Sequence, residues 1–195
     1  MKIASWNIRG FNCPIKQQEV RSFLLVNQID ILCLLETRVK SAKAPPIVQD
    51  LFGNWNVICN YGQHYNGRIW LFYNPSTISI SSQIITSQMI CCKAHHYGTN
   101  IDFCISMVYG FNNAVARNEL WNSLTSYCPF EPWLVMGDFN IVRCPEEKMR
   151  PTPPAIHEMT EFNDCLASCH LDDMTSTGAG LTWTNKQDTI TTIWT

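Results

Sequence analysis

Charge is scarce in this chain. Only 15% of its 195 residues are Asp, Glu, Lys or Arg, and the formal net charge is -2. That excludes a global basic footprint, so any contact with nucleic acid rests on local patches and weakens as salt rises. No apolar run approaches membrane-spanning length, and the opening MKIASWNIRG has no apolar leader core, which makes a soluble, intracellular protein the expectation. No CxxC pair occurs among the ten cysteines: Cys91 and Cys92 are adjacent, and Cys165…Cys169-His170 is the nearest approach to a metal cluster. Zinc-site and thioredoxin-type spacings are therefore missing, and the thiols read as small buried hydrophobes in a reducing compartment. There is no internal repeat, no low-complexity tract and no linker long enough to divide the chain. With 46% hydrophobic residues, one domain can bury a large core without disulfides or metals to hold it.

What is present alternates between two periodicities. Residues 2–7 begin a strand, and Pro14 opens a helix to about Asn27 with Val20, Phe23, Leu24 and Asn27 on one face. Ile31 to Leu35 is a continuous apolar run, as a strand covered on both faces requires. This strand–helix–strand order predicts a parallel crossover unit. The middle changes character. WNVICN, GRIWLFYN, ISISSQII, QMICCKAHH and NIDFCISMVYG are short β-rich runs with turn residues such as Asn66-Gly67 and Asn74-Pro75 between them, so antiparallel hairpins are expected. A helix returns over about Ala114–Tyr127, where Val115, Leu120, Trp121 and Leu124 can share a face. WLVMG is a further buried strand and EEKMRPTPP a proline-rich loop. Ile156, Met159, Phe162 and Leu166 mark another helix with Glu158 and Glu161 near its start, and LTWTN starts one more strand. The pattern is that of a mixed α/β protein with two sheets.

Five polar residues stand at the ends of these apolar strands: Asn7 in SWNIRG, Glu36 in LLETR, Tyr109 in MVYGF, and Asp138 and Asn140 in MGDFN. In layered α/β domains the strand ends face the loops where ligands bind. A polar side chain left in the core instead is destabilising unless paired. Their chemistry is that of metal-assisted phosphodiester hydrolysis. A hard cation such as Mg²⁺ needs oxygen ligands and keeps several waters, so Glu36 would be the main ligand and Asn7 a second contact. Asp138 would orient or deprotonate the attacking water, Asn140 would hold Asp138 or a phosphate oxygen, and Tyr109 would donate to the charge developing on phosphorus. Singly, each has a plainer reading. Glu36 suits a solvated strand end, Tyr109 a half-buried strand aromatic, Asn7 a turn before Gly10, and GDFN an Asx turn. The set in order is what points to a site.

SWNIRG, LLETR, VYGF, PWLVMGDFN and LTWTN, in that order, resemble the exonuclease–endonuclease–phosphatase superfamily. With RNELWNSL before and EEKMRP after the GDFN segment, they look most like the apurinic/apyrimidinic-endonuclease-like domain of plant non-LTR (LINE) retrotransposons. The resemblance covers essentially residues 1–195 as one endonuclease/exonuclease/phosphatase domain. It implies a four-layer αββα sandwich of two packed mixed sheets flanked by helices, dependence on Mg²⁺ or Mn²⁺, and DNA nicking that primes reverse transcription. It puts the metal glutamate on Glu36, the active-site tyrosine on Tyr109, the water-orienting aspartate on Asp138 and phosphate-contacting asparagines on Asn7 and Asn140. Trp183 in LTWTN matches an aromatic lining the DNA-facing cleft. Two departures stand out. Arg9 occupies a position where some relatives are acidic, and the Leu-Asp-Arg strand and Ser-Asp-His motif that the resemblance places beyond IWT are not in these 195 residues. The expectation is a C-terminally incomplete fold lacking its last strands, and a chain inactive as it stands, because dismantling a site that works as a unit costs several orders of magnitude in rate. His64, His95, His96, His157 and His170 sit in or beside turns and helix ends and do not replace the motif. Two other readings share the residues: a phosphatase of the same superfamily acting on inositol phosphates or lipids, and a binding module that keeps the fold without the chemistry.

Overall fold

The computed structural model describes residues 1–149, 155–175, 177, 183–184 and 193–194. They form two compact units, one of Met1–Gly110 with Pro129–Asp138 and one of Phe111–Cys128 with Phe139–Thr195. The first unit holds β1 (Ile3–Asn7), α1 (Pro14–Asn27), β2 (Ile31–Leu35), α2 (Ala44–Phe52), β3 (Asn56–Cys59), β4 (Ile69–Tyr73), β5 (Ile78–Ile85), β6 (Met89–His96), β7 (Ile101–Tyr109) and β8 (Trp133–Asp138). One sheet runs β1-β2-β4-β3 and the other β5-β6-β7-β8. Each contains one parallel pair, β1 with β2 and β7 with β8, and is otherwise antiparallel. Each parallel pair is separated in sequence by one helix-length segment, as parallel neighbours require.

Strand alternation explains how the sheets pack. In β2, Ile31, Cys33 and Leu35 point one way and Leu32 and Leu34 the other, and in β4 Ile69 and Leu71 alternate with Trp70 and Phe72. The first set meets Ile78, Ile90, Cys92, Ala94, Phe103, Ile105, Met107 and Tyr109 of the second sheet in one buried cluster. The second set packs under α1 and α2 with Val20, Ala44, Phe52 and the Phe52–Phe72 ring stack at 3.7 Å. The sandwich of two packed mixed sheets with flanking helices expected from the sequence is thus the architecture found. Helix α2 has no counterpart among the elements expected from the sequence; its segment contains Pro45 and Pro46. Both fall in its first turn, where backbone N–H groups have no intrahelical acceptor in any case.

The second unit contains α3 (Ala114–Tyr127), β9 (Lys148–Met149), α4 (Ile156–Ser168), β10 (Trp183–Thr184) and β11 (Ile193–Trp194), the three short strands pairing antiparallel in the order β10-β11-β9. Helices α3 and α4 meet through Trp121, Phe139 and Phe162, with Trp121 and Phe162 stacked at 5.1 Å. Here three expectations change. The buried stripe of α3 is Arg117, Leu120, Trp121 and Leu124, spaced three and four apart, while Val115 lies 81% exposed. Ile156 is likewise exposed and Cys165 takes its place in the stripe of α4. Within EEKMRPTPP, Lys148–Met149 is a strand and not a loop, and residues 150–154 lie outside those described.

All ten cysteines are free. Burial pushes the Cys33 thiol far up, and Cys59 and Cys92 up to about 12, so these sulfurs stay protonated and unreactive at neutral pH. Alkylation of the native protein with iodoacetamide, followed by mass spectrometry, should mark exposed Cys13 first, with Cys33, Cys91, Cys92 and Cys104 reacting only after unfolding. Rapid native labelling of those four would contradict their burial.

Candidate metal and phosphate site

The two parallel strand pairs end at the same chemistry. In the first sheet Asn7 is the Cα partner of Leu35, and Glu36 is the next residue. In the second, Tyr109 is the partner of Asp138. Alternation turns three of them to the inter-sheet face: Asn7 follows the Ile3 row of β1, Tyr109 ends the Phe103, Ile105, Met107 row of β7, and Asp138 follows Leu134 and Met136 of β8. Glu36 falls on the opposite alternation to Ile31, Cys33 and Leu35 and reaches Tyr109 from a left-handed backbone at φ 51°. Two side-chain hydrogen bonds then cross from sheet to sheet. Asn7 Nδ2 donates to Asp138 Oδ2 at 2.6 Å, and the Tyr109 hydroxyl donates to Glu36 Oε1 at 2.5 Å. The structure therefore brings Asn7, Glu36, Tyr109 and Asp138 together. Asn140 belongs to the second unit, where it sits at φ 54° and its backbone carbonyl accepts from buried Arg117 at 3.2 Å. Trp183 lies in β10, paired with Trp194, and its side chain is outside the described residues.

The backbone around Glu36 is held on both sides. Pairing continues beyond β1 and β2 through Gly10 N to Glu36 O at 2.8 Å and Phe11 N to Thr37 O at 2.7 Å. Thr37 is fully buried and its hydroxyl donates to Gly67 O at 2.6 Å. Glu36 and Arg38 both sit in the left-handed region, at φ 51° and 53°, where side-chain-bearing residues are strained. Strain of this kind persists only where surrounding contacts impose it. Gly137 meets a different demand: at φ 142° a Cβ would fall 2.0 Å from the Val108 carbonyl oxygen, so only glycine lets β8 lie this close to β7 just before Asp138.

Two cations lie outside the five-residue set that the strand-end pattern picks out. Arg38 Nη2 bonds Glu36 Oε2 at 2.6 Å, and the Arg68 guanidinium lies 5.4 Å from the centre of the Tyr109 ring. Their sequence signal was position alone, since each follows a strand end or turn already noted, in LETR and NGRIW. Tyr109 is held in its neutral form. Burial raises its pKa most, the hydrogen bond and charge of Glu36 add to that, Asp138 adds a little, and Arg68 opposes. It is thus a donor and not a phenolate at physiological pH.

Whether such a group of residues suits a divalent cation turns on one atom. The Asn7 side-chain oxygen is buried with no hydrogen-bond partner, while its nitrogen is committed to Asp138. An orphaned amide oxygen costs stability unless something accepts it as a ligand. With the carboxylates of Glu36 and Asp138 it makes an all-oxygen donor set, which fits Mg²⁺ or Mn²⁺ better than softer metals. Among the described residues there is no group of three or more His, Cys, Asp and Glu that could form a metal cage. The site's chemistry is that of one or two carboxylates and an amide, as a cation that keeps its waters requires.

A sequence model described as the Endonuclease/Exonuclease/phosphatase family matches residues 4–195. Among curated proteins, an exodeoxyribonuclease of Bacillus subtilis (strain 168) is 30% identical over 67 residues, which are 34% of this chain and 26% of that protein. The match thus takes in about a quarter of that relative's length. Two solved structures share the fold. An AP endonuclease from Archaeoglobus fulgidus gives a TM-score of 0.63 at 17% identity, covering 86% of this chain and 70% of that one. A 3'-5' exonuclease from Neisseria meningitidis gives 0.63 at 18%, covering 86% and 71%. No helix among the described residues is long and apolar enough to cross a membrane.

Two outcomes test this geometry. Gly137→Ala should destabilise the protein by about 3 kcal/mol or more in urea unfolding, since the added methyl meets backbone that has nowhere to move. For Tyr109 the folded pKa lies above the unfolded value of about 10. The stability it contributes is therefore complete below about pH 10 and is lost as the pH climbs beyond that. Unfolding free energies measured from neutral to strongly alkaline pH should fall less steeply for Tyr109→Phe than for the natural chain. Equal slopes would contradict the raised pKa that burial and the Glu36 hydrogen bond give Tyr109.

Proposed function

We propose, since this chain belongs to the Endonuclease/Exonuclease/phosphatase family, that it is a metal-dependent phosphodiester hydrolase domain of the nuclease type, residues 1–195 acting as one domain on DNA. The observation that carries this reading is the buried, unpartnered oxygen of Asn7 beside the carboxylate that its own nitrogen orients. Glu36 and the Asn7 oxygen would hold Mg²⁺ or Mn²⁺, and when bound the cation supplies charge neutralisation at phosphate and a sharper electrophile at phosphorus. The other roles belong to the protein's own groups. Asp138, fixed through Asn7, orients and deprotonates the attacking water. Neutral Tyr109 donates towards the oxygen that gains charge. Asn140 is assigned to a phosphate oxygen and Trp183 to the DNA-facing surface, both by the resemblance of GDFN and LTWTN. RNELWNSL and EEKMRP favour the endonuclease domain of plant LINE elements, whose nick primes reverse transcription. Ten free thiols suit a reducing, intracellular compartment. With a net charge of -2, DNA is held by local contacts.

Binding is the informative readout here, because no Ser-Asp-His motif occurs in these 195 residues. Calorimetric titration with Mg²⁺ should give a single weak site that disappears in Glu36→Gln. Affinity for a short DNA duplex should rise with Mg²⁺ and fall steeply with salt. Hydrolysis of a soluble phosphomonoester without duplex binding would instead favour the phosphatase reading. Duplex or protein binding indifferent to Mg²⁺ and to Glu36→Gln would favour a non-catalytic module.

A further inference from the structure

The ion pair on Glu36 is a curious one for a metal ligand. One carboxylate oxygen is taken by Tyr109, a side chain only 3% exposed and bonded at 2.5 Å. The other is taken by Arg38, whose side chain is 64% exposed and reaches Glu36 with one nitrogen. The backbone beneath Arg38 cannot follow that side chain elsewhere. Thr37 is buried and tied to Gly67, and the Arg38 carbonyl accepts from Asn12 Nδ2 at 3.0 Å. A fixed backbone under a long, mostly solvated guanidinium leaves one movable part in the pair. The pair is exposed at its Arg38 end only, since the Glu36 side chain is 12% exposed; at that end solvent screens the guanidinium, and holding the long side chain in one rotamer opposes the contact. A dication competing for the same oxygen has twice the charge and needs no rotamer.

Charge counting gives the displacement a use. Glu36 and Asp138 contribute two negative charges to the strand-end cluster, and Arg38 and Arg68 two positive ones, so the cluster is locally balanced. A balanced cluster has little attraction for a phosphodiester. A bound dication tips that balance positive, and an Arg38 released from Glu36 is free to make the forked contact to phosphate oxygens for which guanidinium is suited. Building on the metal site proposed above, we propose that Arg38 is an exchangeable arm: it neutralises Glu36 Oε2 until the cation arrives, and then becomes a phosphate-binding residue for the DNA strand. Duplex binding is thereby conditional on metal, through one named side chain.

The test compares the natural chain with Arg38→Asn and Arg38→Gly, both at ease at a positive φ, after thermal unfolding has established that each folds. Titration with Mg²⁺ alone at low salt should show both variants binding about threefold more tightly than the natural chain. Fluorescence anisotropy with a short duplex should show the opposite preference. In Mg²⁺ the natural chain should bind more tightly than either variant, with a salt slope steeper by about 0.9, the value of one phosphate contact. In EDTA the slopes should coincide. Unchanged or weakened Mg²⁺ affinity in the variants overturns the proposal, as does a slope difference that persists in EDTA, which would make Arg38 a constant phosphate contact. Slopes that coincide in both conditions would reduce Arg38 to a surface ion pair. Failure of the natural chain to bind Mg²⁺ in a Glu36-dependent way is a separate result: it removes the metal site, and the exchange falls with it.

Discussion

Two hydrogen bonds between facing sheets, Asn7 to Asp138 and Tyr109 to Glu36, are the constraint from which the rest of the site follows. Each joins the C-terminal end of a strand in one sheet to that of a strand in the other. Neither sheet alone contains a complete set of donors. The apolar cluster between the sheets fixes their separation, and the strand ends are then near enough for short polar side chains to span the gap. Packing density is what makes this possible, because an interior at crystal-like density transmits position without slack. The site is accordingly a consequence of the core, placed at its rim.

That placement explains why the local backbone departs from ordinary preferences. Glu36 and Arg38 occupy left-handed conformations, each a strain on the order of 1 kcal/mol. Between them, buried Thr37 is bonded to Gly67 and Phe11, contacts that hold the strained segment in place. The same economy appears in the buried oxygen of Asn7, which lacks a partner although its nitrogen bonds Asp138. Fold stability alone would favour a side chain without such an orphan. A ligand that seeks oxygen gives the atom a reason to be there.

Much of this was legible in the amino-acid order. The strand–helix–strand opening, the hairpins of the middle and the helices over residues 114–127 and 156–168 follow from periodicity, and the structure has them. So do the strand ends that carry Asn7, Glu36, Tyr109 and Asp138. What periodicity missed were cases in which two rules compete. Helix α2 carries two prolines in its first turn, and the buried stripe of α3 takes in Arg117 while Val115, five residues from Leu120, falls off it. Arg117 can be buried because Glu158 and two backbone carbonyls accept from its two Nη groups, and those partners come from other segments of the chain.

The sequence by itself determined the class of fold, the strands, and which polar residues stand at their ends, because these depend on neighbours one to four positions away. Only the tertiary structure decided which of those residues touch. That Asn7 meets Asp138 across 131 positions, that Tyr109 meets Glu36 across 73, and that Arg38 covers the remaining oxygen are matters of sheet register and separation. Register and separation are set by the whole core at once, and no local pattern of residues encodes them.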